Sequence, residues 1–297
     1  MFWSTWHPIV TLNLAIFKMK HDVNISKLIS YWLRHKPSEA GLEVNEFGWV
    51  NIDALLVALD RKGFNLQVND LNGLNQSFDK VRWEIDQSEN RIRATHGHSI
   101  PIVLSDNPSK PPSELFHGTS LSKALSILDK GILPMNRLFV HLSANVNAAM
   151  EVGRRHGIPI VIELDTEGLL EKGQNFYQTS DNVWLTTSID KSHVNFAPWH
   201  RVSTEEKNVL LEELKREVSK GHQVFNEIAD LELIMRRYDR DNALFLNLKS
   251  GKVFDIHLTF KGSKEWDTHY PFTRGFSDLE EWIKNSLLVD QSEWYGI

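Results

Sequence analysis

The sequence predicts an α+β protein of two or three compact units, and three observations predict it. Helical periodicity in the first hundred residues gives way to a period-two hairpin. A proline-rich stretch then breaks the pattern, and short strands and helices alternate beyond it to the C-terminus. At 297 residues and 41% hydrophobic content the chain can bury a large core and exceeds the usual size of one domain.

Composition narrows the chemistry. There is no cysteine, which excludes disulfides and thiolate metal sites and fits a cytoplasmic location. Basic residues number 33 against 39 acidic, for a net charge of −6, and no large part of the chain is broadly basic. A nucleic acid would therefore be held by local arginines, because binding driven by phosphate charge needs clustered cations. Residues 1–24 read as a tail, disordered or an over-extended start ahead of Met19. Their apolar run has no charge before Lys18 and contains Pro8 and Asn13. A secretory signal needs positive charge ahead of its apolar run, and a spanning helix needs about 20 apolar residues. No membrane is expected as a partner, with a peripheral anchor as the minor alternative.

Taken in order, Ile25, Leu28, Ile29, Trp32 and Leu33 form one face of an amphipathic helix that Pro37 stops, leaving Arg34 and His35 at its C-terminal end. There the helix dipole favours the imidazolium form, and plain C-terminal capping is the ordinary alternative. Asn51 is placed as the N-cap of a second helix with Leu55, Leu56 and Leu59 inward and Gly63 past its end. A third helix is expected from Asn69 to Phe78. Val81, Trp83 and Ile85 alternate, Gln87 to Asn90 turns, and Arg91 to Ala94 returns the chain as a hairpin. Three helices and a hairpin read as a winged-helix-like lobe over residues 25–104. Arg91 and Arg93 lie two apart on a strand and so share a face. With Arg34 and His35 they can converge on a phosphate, for which guanidinium offers fixed bidentate donors; a solvated face is the alternative. His96 and His98 also share a face, but no carboxylate or third histidine lies at ligand spacing, so no metal is expected.

Residues 105–114, SDNPSKPPSE, read as a linker. A second lobe over 115–200 opens on a strand carrying His117, Gly118 and Thr119, where glycine allows close approach of a ligand. Ala124, Ile127, Leu128 and Ile132 recur at helical spacing up to Gly131, and Phe139 to Ser143 forms a strand bearing His141. Two histidine-bearing strands bridged by a helix look like a cleft wall, although a histidine on a strand is more often a satisfied core or surface residue. A helix from about Asn145 to His156 carries Arg154 and Arg155, Ile158 to Leu164 reads as a buried strand, and residues 176–188 as a strand pair. Residues 203–297 read as an independent small C-terminal α+β domain of unknown task, with a charged helix, a hairpin about Ser250-Gly251 and a closing helix at LEEWIKNSL.

Seven motifs follow one another as LRHKP, GWVNIDALL, IRATHGHS, LFHGT, VHLS, VGRRHG and VWLT. In that order they resemble the RNA 2'-phosphotransferases, a branch of the ADP-ribosyltransferase fold, over roughly residues 25–189. The resemblance implies that 115–200 is an ADP-ribosyltransferase-like NAD-binding lobe and that the winged-helix-like lobe takes RNA. It implies a catalytic set of Arg34, His35, Arg93 and Arg155, with Arg91 serving the phosphate where the family often has lysine. It further implies an NAD cradle of His117, Gly118, Thr119, Arg137, His141 and Ser143. One departure stands at Thr95-His96, where the family commonly has Asn-Gln, so neither is placed in the catalytic set.

The implied reaction uses NAD as co-substrate to remove an internal RNA 2'-phosphate, as at a tRNA splice junction. The phosphate attacks the nicotinamide ribose, releasing nicotinamide and leaving ADP-ribosylated RNA; the ribose 2″-hydroxyl then attacks the phosphate, yielding ADP-ribose 1″,2″-cyclic phosphate. A phosphomonoester, with a second pKa of ~6, is mostly dianionic near neutrality and needs positioning more than deprotonation, which suits arginines. His35 is the natural proton handler. Protein-modifying members of the fold place a glutamate where this chain has Val183, which favours phosphate removal. The alternatives are an ADP-ribosyltransferase that caps phosphorylated nucleic-acid ends or modifies a protein, and a C-terminal interaction module with the enzyme lobe as passenger.

Overall fold

The structure, a computed structural model, describes residues 7–78, 81–103 and 107–296, with side chains from residue 21 onward. The chain divides into two compact units: Met1–Asn107 with Pro134–Phe139, and Pro108–Leu133 with Val140–Ile297. Helix and sheet mix in both, so the protein is α+β. Among the described residues no helix is long and apolar enough to cross a membrane.

The first unit runs α1 (His7–Arg34), β1 (Val50–Asn51), α2 (Ile52–Asp60), α3 (Val68–Gln76), β2 (Trp83–Asp86) and β3 (Arg91–Ala94). The strands form one antiparallel sheet in the order β1-β3-β2. The expected apolar face of α1 is buried: Ile25, Ile29 and Leu33 pack with Leu55 and Leu59 of α2, Leu71 of α3 and Trp83 of β2. Burying such a side chain stabilises by roughly 1.5–3 kcal/mol. Helix α1 starts far ahead of Ile25 and takes in residues 7–24 of the expected tail; residues 1–6 lie outside the described residues. It ends where foreseen, with the His35 amide donating to Tyr31 O (2.9 Å) ahead of Pro37. Asn51 caps α2, its Oδ1 accepting from the Ala54 amide at 3.0 Å. Strand β1 was not foreseen, because two residues are too few to show an alternation.

The second unit runs β4 (Phe116–Ser120), α4 (Leu121–Lys130), β5 (Val140–Ser143), α5 (Val146–Arg154), β6 (Pro159–Leu164), α6 (Thr166–Glu171), β7 (Tyr177–Ser180), β8 (Val183–Thr186), β9 (Val194–Asn195) and β10 (Trp199–His200). It continues through α7 (Thr204–Glu217), β11 (Leu231–Arg237), β12 (Asn242–Asn247), β13 (Val253–His257), β14 (Phe272–Phe276), α8 (Leu279–Trp282) and α9 (Leu288–Tyr295). One sheet has the order β7-β8-β5-β4-β6-β9, the other β10-β11-β12-β13-β14.

Here the structure differs from the sequence reading, which separates 115–200 from an independent domain at 203–297. A single core holds both: Leu115, Leu142, Ile160, Ile162 and Trp199 cluster with Ile234, Met235, Leu244, Trp282 and Leu287. Strand β10 belongs to the second sheet, Trp199 stands edge-on to Trp282 at 5.6 Å, and its Nε1 donates to Asp290 at 2.8 Å. The last helix reaches further. Strand β6 pairs with β9 only at Glu163 and Leu164, which leaves the edge at Val161 open. Gln291 of α9 closes it, its Nε2 donating to Val161 O (2.6 Å) and its Oε1 accepting from the Val161 amide (3.1 Å). The unit boundary at Asn107 falls in the expected linker, of which residues 105 and 106 lie outside the described residues. The linker's second half is anchored, with Pro111 buried and the Ser109 amide donating to Phe176 O at 2.8 Å.

Candidate functional site

In the first unit, the end of α1 is surrounded by cationic groups. Arg34 donates through Nη2 to Arg82 O (3.2 Å), and the left-handed Gly97 (φ +87°) lies so close that a Cβ there would sit 3.6 Å from Arg34 Cδ. Burial, then the charges of Arg82 and Arg137, push the Arg34 guanidinium down to about 10. His35 is lowered from its ordinary value by burial, then by Arg34 and Arg137. His98, 5% exposed, is pushed down to about 4 by burial and then by Arg34, Arg93 and His35. Arg34, His35 and Arg93 are thus within electrostatic reach of His98, and Arg137 within reach of the first two. Half-buried cations that face other cations are costly unless an anion joins them. The arrangement is suited to a phosphate.

The strand arginines are held differently. Both lie over Trp49, Arg91 at 4.7 Å and Arg93 at 4.5 Å from the ring centre, as expected for residues sharing a face. Arg93 is ion-paired with Glu84, directly opposite it on β2, and Arg91 with Asp86 at 2.9 Å. Arg93 bears on His98 and so belongs to the cluster, whereas Arg91 is turned to Asp86. Arg137, which the family resemblance assigns to the NAD cradle, falls in the first unit with the phosphate-type residues.

In the second unit, β4 and β5 pair only at Phe116 and Ser143; the next link is a side chain, His117 Nδ1 donating to His141 O at 3.0 Å. His117 and Thr119 lie on the face of β4 turned away from α5, whereas Ser143, opposite Phe116, and His141 lie on the α5 face; the hydroxyl residues Thr119 and Ser143 are buried. Packing fixes the residue at Gly118. A Cβ there would lie 1.7 Å from Ala149 O, and one on Gly153 would lie 2.5 Å from Thr119 O. The small residue at 118 is thus demanded by α5 lying directly on the β4 backbone. Helix α5 is capped by Asn145 Oδ1, accepting from the Ala148 amide at 2.8 Å, and delivers Arg155, exposed, at its C-cap. Its neighbour Arg154 is paired with Glu151. Val183 of β8 stands opposite Ser143, so an apolar side chain occupies that position. Among the described residues no group of three or more His, Asp or Glu side chains is arranged to hold a metal ion.

A family model described as "RNA 2'-phosphotransferase, Tpt1 / KptA family" matches residues 20–188, more than half of the chain. The chain belongs to this family. Members of the Tpt1/KptA family similar to it include the probable RNA 2'-phosphotransferase of Hahella chejuensis, 37% identical over 170 residues that make up 57% of this chain and 91% of that protein. The Acaryochloris marina protein of the same description is 39% identical over 165 residues, 56% of this chain and 91% of its own. That of Fusobacterium nucleatum is 35% identical over 179 residues, 60% of this chain and 100% of its own. The family is one of transferases, so the protein is an enzyme. Every residue of the expected catalytic set and cradle lies within the matched segment, while residues 189–297 lie beyond it.

Sequence reasoning missed Arg82, whose isolated position carries no signal; it weighed His98 only as a metal ligand and gave Ser99 no role. The separation of these residues along the chain hides their proximity.

Proposed function

We propose that this Tpt1/KptA family member removes a 2'-phosphate from RNA with NAD as co-substrate, releasing nicotinamide and ADP-ribose 1″,2″-cyclic phosphate. The observation that carries the reading is the group of arginines about His35 and His98, which suits a dianionic phosphate; with His35 it includes three of the four expected catalytic residues. Arg34 and Arg93 hold the phosphate oxygens, with Arg91 available if Asp86 releases it. NAD supplies the ribose carbon that the phosphate attacks as the glycosidic bond to nicotinamide breaks. His117, Gly118, Thr119, His141 and Ser143 of β4 and β5 would hold the NAD, with Arg137 assigned to its pyrophosphate, as the family resemblance implies.

In the second step the ribose 2″-oxygen bonds to phosphorus as the bond from phosphorus to the RNA 2'-oxygen breaks. His35 takes the proton of the 2″-hydroxyl and returns it to the RNA oxygen. Arg155 stabilises the charge that builds on phosphate, and losing one such preorganised donor slows reaction by about 10² to 10³. The winged-helix-like reading of the first unit, as the RNA-binding lobe, is supported by its three helices and the β1-β3-β2 sheet. The test is incubation with NAD and a 2'-phosphorylated oligonucleotide, with nicotinamide and cyclic phosphate measured separately. Arg155→Ala is expected to accumulate ADP-ribosylated RNA. Stable labelling by the wild-type protein without cyclic phosphate would instead favour ADP-ribosyl capping.

A further inference from the structure

The loop Gly97–Ser99 grips the end of α1 at several points. Gly97 packs beneath the Arg34 side chain, the Ser99 amide donates to Arg34 O (2.9 Å), and Ser99 Oγ stands 3.0 Å from His35 Nδ1. Because the backbone bond fixes Ser99 against the helix terminus, the hydroxyl's contact with the imidazole is built in rather than incidental. We propose that Ser99 is a positioning residue for His35, holding Nδ1–H by its hydroxyl oxygen so that Nε2 presents the lone pair that receives the proton. The inference rests on the function proposed above.

The chemistry of a hydroxyl suits this task. A carboxylate at Nδ1 would hold His35 as its cation and weaken it as a base, whereas a neutral hydroxyl accepts Nδ1–H in both protonation states. When Nε2 gains its proton the same bond becomes charge-assisted and stronger, so the ring keeps its orientation between taking the proton and returning it. The charged and titratable groups facing His35 are Arg34 on α1, Arg137 from the 134–139 segment and His98 from the loop, with the Tyr31 ring centre at 6.1 Å. The cations disfavour the imidazolium, which leaves the neutral form at rest and gives the Nδ1–H tautomer its value.

Ser99→Ala and Ser99→Thr test the inference by two routes. In the phosphotransferase assay Ser99→Ala should lower kcat roughly five- to tenfold, the effect of one lost hydrogen bond, with KM changed less than twofold. The low-pH limb of kcat should move to lower pH, because the imidazolium loses an acceptor, and Ser99→Thr should restore both. Nitrogen NMR of His35 should show the Nδ1–H tautomer dominant in the wild type and a mixture in Ser99→Ala. A kcat within twofold of wild type, an unmoved limb, or a threonine variant as impaired as alanine would overturn the proposal. Failure of the wild-type protein to release nicotinamide would instead sink the functional reading, and an unchanged tautomer in Ser99→Ala would then still decide against Ser99.

Discussion

Replacing Gln291 with alanine tests whether the C-terminal region is part of the second unit's framework. The Gln291 side chain, 3% exposed, is the partner of both the amide and the carbonyl of fully buried Val161. Each backbone group orphaned in a buried setting costs about 1–3 kcal/mol. Two such groups set the loss at about 2–6 kcal/mol, and we take about 3 because water entering the vacated space recovers part of it. For a unit of about 180 residues each kcal/mol moves Tm by about 2–4 °C, so the transition should fall by about 6–12 °C. Thermal and urea unfolding followed by tryptophan fluorescence read this, with exposed Glu293→Ala on the same helix as the control, expected within about 0.5 kcal/mol of wild type. A Gln291→Ala loss below about 1 kcal/mol, or one matching the control, would refute the idea that α9 completes the β6 edge. By the same logic a fragment ending at Val202 should not fold, since it strips Ile234, Met235, Leu244, Trp282 and Leu287 from the shared core.

Further outcomes follow from particular contacts. Gly118→Ala puts a Cβ 1.7 Å from Ala149 O, so α5 must shift; stability should fall by at least the ~1–3 kcal/mol typical of overpacking, and nicotinamide release should fall with it. An unaffected melt would show that β4 and α5 are less tightly joined. His98, lowered from 6.5 to about 4, stays neutral in the folded state while the unfolded chain takes up a proton. The first unit should therefore be fully stable above pH 6.5 and lose up to about 3 kcal/mol as pH falls toward 4. His98→Asn should flatten that slope in urea melts taken across the range. Arg137→Ala removes a cation that depresses His35, so the His35 titration followed by NMR should move to higher pH; no movement would separate Arg137 from the cluster.

The α+β class and most element types were legible from the residues alone. The cap at Asn51, the helix start about Asn145 and the apolar face of Ile25, Ile29 and Leu33 are local signals, decided within a few turns of chain. Short strands were not legible: β1 and β10 have two residues each, and β14 has mostly exposed side chains. The ordered motifs pointed to Arg34, His35 and Arg93, and the structure groups them about His98 with Arg82 and Arg137 close by. It also moves residues 134–139 into the first unit, against their place between two elements of the second.

What the sequence determined by itself is most of the helices and the family, because helix faces, caps and motif order are written in neighbouring residues. What only the tertiary structure decided is which distant residues share an environment. The merging of 203–297 with the preceding lobe depends on Trp199 meeting Trp282 and on Gln291 reaching Val161, contacts between positions about 80 and 130 residues apart that no local pattern encodes. Hydrophobic burial favours any apolar partner, so geometry alone selects this one.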